Sequence, residues 1–78
     1  MSKPSQKRVE LVNQGKVLLR TMKRRGGNRE FYVVARYTGW GWENYHFTSH
    51  HKTEALARRE LLQFVKSDPE KIIDDNLI

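Results

Sequence analysis

The segment that most constrains this chain is Glu30 to Thr38, EFYVVARYT. β-Branched and aromatic residues crowd it, and such side chains suit a pleated, half-buried surface better than a helix. Turn residues bound it on both sides. Upstream, Gly26-Gly27-Asn28 tolerates the positive φ that tight hairpins require. Downstream, Gly39-Trp40-Gly41-Trp42 reads as a second turn. A strand between two turns needs partners. The short apolar run Val17 to Met22 supplies one, and Asn44 to Thr48, NYHFT, supplies the other.

A helix follows. Thr53 suits an N-cap, and Glu54 complements the positive end of the helix dipole. Ala57, Leu61, Phe64 and Val65 share one face at helical spacing, with Leu62 beside them. Pro69 stops the helix through the residue before it and is then placed to open a short helical turn over Glu70 to Ile73. The expected fold is α+β: a three-stranded antiparallel sheet packed on one C-terminal α-helix. Residues 1–15 form a flexible basic N-terminal arm or short leading element, with Val9 to Asn13 open between helix and strand. Residues 16–67 form the β-β-β-α domain, and 68–78 an acidic tail. The tail's Ile72, Ile73, Leu77 and Ile78 suit docking on the domain, while its carboxylates equally suit a solvated segment.

Alternation assigns the faces. Phe31, Val33, Ala35 and Tyr37 lie on one side of the middle strand and are expected to pack on the helix, with Val17, Leu19, Tyr45 and Phe47. One helix covers one face. The other is expected to stay open, carrying Arg20, Tyr32, Arg36 and His46 among Leu18, Met22 and Val34.

Charge points to a class of partner. The net charge is +6, and residues 1–30 carry nine basic side chains against Glu10 and Glu30. Such asymmetry favours a polyanion. Arginines neutralise phosphates, and aromatic rings stack on bases. The expected nucleic-acid contacts are Arg20, Lys23, Arg24, Arg25, Arg29, Tyr32, Arg36, Trp40, Trp42 and His46. Lys23 to Arg29, KRRGGNR, would contact phosphates as a hairpin tip or enter a groove as a two-stranded ribbon. The alternative is a solvated turn whose charges keep the sheet edge soluble. Of the tryptophans, one is expected to be structural and one exposed.

Several classes find no support. The chain has no cysteine, which excludes disulfides, thiolate zinc sites and thiol redox chemistry. His50 and His51 are adjacent and diverge, so a metal site with His46 is not expected. There is no phosphate-binding glycine loop with a lysine and no nucleophile set beside a base, so neither catalysis, a cofactor nor a small-molecule substrate is expected. No window approaches about 20 apolar residues, so no membrane partner is expected, and the cytoplasm is the expected location.

Three strands followed by a helix, with Phe47-Thr48 leading into Lys52-Thr53-Glu54-Ala55 and then Leu61 and Phe64, resembles the arm-site DNA-binding domains of phage and transposon integrases. The last strand and helix are also similar to those of double-stranded-RNA-binding domains, although Ser49-His50-His51-Lys52 keeps only part of the basic run expected there. Both resemblances cover about residues 16–66 and concern architecture, which speaks to fold more than to function. The resulting expectation is an accessory or regulatory protein that binds DNA or RNA. The rival expectation is a protein-binding inhibitor or adaptor of the kind mobile elements encode, with Trp40, Trp42 and the open face as its epitope.

Overall fold

A computed structural model describes residues 4–78. The element order is α1 (Pro4–Asn13), β1 (Val17–Gly26), β2 (Arg29–Tyr37), β3 (Trp42–Asn44), α2 (Glu54–Ser67), β4 (Ile72–Asp74) and a 3-10 turn (Asp75–Leu77). The class is α+β with a C-terminal helix packed on the sheet, as the sequence indicates. The sheet has four strands, however, in the order β3-β2-β1-β4, with β4 parallel to β1 and the other pairings antiparallel.

Residues 1–3 of the expected arm lie outside the described residues, and from Pro4 the chain is helical. A proline opens a helix at no cost, because its missing N–H would find no partner there. The helix ends as glycine allows. Gly15 takes φ +86, its N–H donates to the Val12 carbonyl, and the Lys16 N–H reaches back to the Leu11 carbonyl at 3.0 Å. These two bonds close a Schellman motif over carbonyls left without helical partners.

The β1–β2 hairpin turns through Gly27 and Asn28. Gly27 has φ +62 and Asn28 does not have positive φ, the pattern of a type II′ turn. The third strand spans Trp42–Asn44, two residues earlier than the expected Asn44 to Thr48. The chain then turns away: Tyr45 still bonds the Val34 carbonyl, the Thr48 hydroxyl accepts the Val34 N–H, and Phe47 is 74% exposed instead of packing inward.

Hairpin register corrects the assigned faces. Leu19 pairs with Arg36, Thr21 with Val34 and Lys23 with Tyr32, on the α2 side. Arg20 pairs with Ala35, Met22 with Val33 and Arg24 with Phe31, on the opposite side. Val17 and Leu19 face α2 as expected, but β2 is inverted. Val34 joins Leu19, Leu61 and Ile72 in the core, with Val17, Tyr45, Phe64 and Val65 against it. Phe31, Val33, Ala35 and Tyr37 point away from α2. Val33 and Ala35 are nonetheless fully buried, as is Leu18 of β1, so both faces of the sheet are covered there.

The C-terminal segment docks. The expected helical turn at Glu70–Ile73 is replaced by β4, whose Ile72 and Ile73 pair with Val17 and Leu18 of β1. The strand wins because β1 offers an unpaired edge, where backbone groups need partners. α2 starts as expected, with the Thr53 hydroxyl accepting the Leu56 N–H at 3.3 Å. No helix among the described residues is long and apolar enough to cross a membrane.

Candidate nucleic-acid interface

The face opposite α2 is built on Trp42. This side chain is half-buried beside Tyr37, with ring centroids 5.3 Å apart. The Arg20 guanidinium lies 5.0 Å from the Trp42 centroid. That of Arg8, from α1, lies 5.6 Å from Trp42 and 6.0 Å from Tyr37. Aromatic faces hold guanidinium groups through their quadrupole. Arg24, two residues along β1 from Met22 on the same face, donates to Asn44 Oδ1 and to the Trp42 carbonyl, each at 3.1 Å. Three arginines are thus fixed around one tryptophan.

Arg8 is also clamped from the far end of the sequence. Its Nε and Nη2 donate to the two oxygens of Asp75 at 2.7 and 2.9 Å. That bond raises the affinity of Arg8 for its proton, outweighing the opposing effect of burial. Asp74 is held by Arg58 of α2. Both carboxylates are buried and paired, which makes their burial tolerable. So the tail does bring a carboxylate to the basic surface, at one defined point.

Beyond this cluster the hairpin runs on alone. Among the described residues β4 pairs only with Val17 to Leu19, and β3 only with Ala35 to Tyr37. Towards the tip, a single bridge between Tyr32 and His51 flanks β2. The remaining ribbon carries Lys23, Arg24, Arg25 and Arg29. Lys23 is 2.7 Å from Glu30, which raises its pKa. Among the described residues Arg20, Arg25 and Arg29 have no ion-pair partner.

The tryptophans divide the work. Trp42 organises arginines, whereas Trp40 is 99% exposed. The turn that presents Trp40 is ordered: the Thr38 hydroxyl accepts the N–H groups of Trp40 and Gly41 at 3.3 and 3.2 Å, and Gly39 takes φ +94.

Register therefore splits the expected open face. Arg20, Arg24 and Trp42 come together, and Arg29 shares their face towards the tip. Tyr32 and Arg36 lie on the α2 side, where Arg36 pairs with Glu43 at 2.7 Å, and Leu18 and Val34 are buried. His46 is exposed in the turn after β3. Sequence reasoning missed Arg8, because the partner that positions it is 67 residues away. It also missed the stack of Phe31 on His50, at 4.1 Å and 19°. Among the described residues no cluster of three or more His, Asp or Glu side chains is placed to hold a metal. Compared with known proteins, the chain matches no family model, no curated protein and no solved structure.

Proposed function

We propose that this protein binds nucleic acid through the sheet face opposite α2 and the basic ribbon, as a cytoplasmic accessory or regulatory protein without catalytic activity. The observation that carries the reading is the arginine row held on Trp42, continued on the ribbon by Arg29 on the same face, with Arg25 on the other face of the ribbon. Pre-positioned guanidinium groups neutralise phosphates at little ordering cost. Several such contacts release counterions, so affinity falls steeply with salt.

The test is binding by fluorescence anisotropy at several salt concentrations, with duplex DNA, duplex RNA and single strands. Replacing Arg25 and Arg29 by Ala should weaken binding similarly for all sequences and reduce the log–log salt slope by about one unit per lost phosphate contact. Both side chains are exposed on the ribbon, so the melting temperature should hold. Unchanged affinity at low salt would overturn the role given to the ribbon. One observation favours a second reading: the fully exposed Trp40 on an ordered turn suits a protein-binding anchor. That interface would depend on Trp40 and respond weakly to salt.

A further inference from the structure

At the root of the basic ribbon, a concave site of about 510 Å³ opens between Arg29, Glu30, Phe31, His50, His51 and Lys52. Its floor is the parallel stack of Phe31 and His50, and the His50 residue is exposed, so the stack ends at an open surface. Arg29 and Lys52 flank it, and neither has an ion-pair partner among the described residues. The one carboxylate in the lining, Glu30, is held by Lys23 at 2.7 Å. The floor is also anchored. Tyr32 and His51 exchange backbone bonds of 2.8 and 2.9 Å, tying the His50 loop to β2. Glu60 of α2 accepts the Thr48 hydroxyl and the Ser49 N–H at 2.7 and 3.0 Å, and its Oε1 lies 3.1 Å from His51 Nε2.

We infer that this site takes one unpaired nucleotide, with its base stacked on His50 as the third ring of the Phe31–His50 stack and its phosphate between Arg29 and Lys52. The volume lies in the range of small-molecule sites, about 300–1,000 Å³. A base reaches such a stack only when it is out of the duplex, because within one its π-faces are already covered by the bases stacked above and below. A base in a duplex would leave the site empty. The inference rests on the proposed nucleic-acid binding and narrows it: the protein should prefer single strands, or the unpaired bases of a larger fold, over a continuous duplex.

The experiment compares wild type, His50→Ala, His50→Tyr and Lys52→Ala against a short oligothymidylate, the same oligonucleotide with abasic sites, and a duplex. His50 and Lys52 are exposed and lie between the last strand of the hairpin sheet and α2, and a melting curve checks that each variant folds. Stacking of one base predicts a loss of about 5- to 100-fold in single-strand affinity for His50→Ala, with duplex affinity unchanged. His50→Tyr restores a ring and should restore binding, Lys52→Ala should weaken it, and the abasic strand should bind wild type and His50→Ala alike. Equal single-strand affinity of wild type and His50→Ala, or a wild-type preference for the duplex, would overturn the site and leave nucleic-acid binding standing. Absence of binding to all three probes would overturn both.

Discussion

Against α2 the sheet presents Leu19, Val34 and Ile72, and Leu61 closes the contact. On its other side it presents Tyr37, with Trp42 beside it, and what meets them are the guanidinium groups of Arg8 and Arg20. The first contact is apolar and non-directional, so it tolerates small shifts. The second depends on fixed planes and on a carboxylate brought in from the chain's end, because Asp75 locks Arg8. Leu18, Val33 and Ala35 are buried on that side as well, and next to them the guanidinium groups of Arg8 and Arg20 are held in place. This organised charge is what a polyanionic partner would meet.

The largest effect that separates the two faces should come from Leu61→Ala. Leu61 is fully buried at the centre of the α2 contact, and truncation there should cost about 2–5 kcal/mol in urea unfolding. The folded fraction should keep its affinity for nucleic acid. A loss of affinity in fully folded protein would show that the faces are coupled.

Asp75→Asn should cost less, on the order of 1–3 kcal/mol, because it leaves Arg8 without its charged partner while Arg8 keeps some access to water. It should also free the Arg8 guanidinium. Calorimetric melting together with a binding titration reads both effects: the melting temperature should fall while affinity at low salt rises. Affinity that falls with stability would mean that α1 must be docked for the surface to work.

These effects also show what was legible in the residues. The hairpin, α2 and its Thr53 cap were, because turn chemistry and helical spacing are local signals. The facing of β2 was not. Val33, Val34 and Ala35 are consecutive, apolar and all fully buried, so alternation carries little information about which side meets α2. A one-residue ambiguity there moved Tyr32 and Arg36 off the face they were expected to share with Arg20. β4 has three residues and pairs with a strand more than fifty positions away, which no local pattern announces. The basic ribbon was visible as a charge run, but Arg8 and the Phe31–His50 stack depend on contacts across the chain.

The smallest effect concerns acid. Burial pushes the Glu60 carboxyl up, but hydrogen bonds from Thr48 and Ser49, together with His51, bring it below the ordinary glutamate range. A lowered folded value means that its stabilisation is complete above the unfolded value and is lost as pH falls through the folded one. Urea midpoints across the acid range should therefore decline less steeply for Glu60→Gln than for wild type. Parallel profiles would remove Glu60 from the account of how the His50 loop is anchored.

The most direct measurement is amide chemical-shift mapping of nitrogen-labelled protein titrated with a short single-stranded oligonucleotide at low salt. The predicted shifts gather on Arg8, Arg20, Arg24, Trp42 and the ribbon through Arg29, and at its root on His50 and Lys52, with Ala55, Arg59, Leu62 and Lys66 on the outer side of α2 unmoved. Shifts concentrated on that outer side of α2, or no shifts with any nucleic acid, would contradict the assignment of the arginine-bearing face as the binding surface.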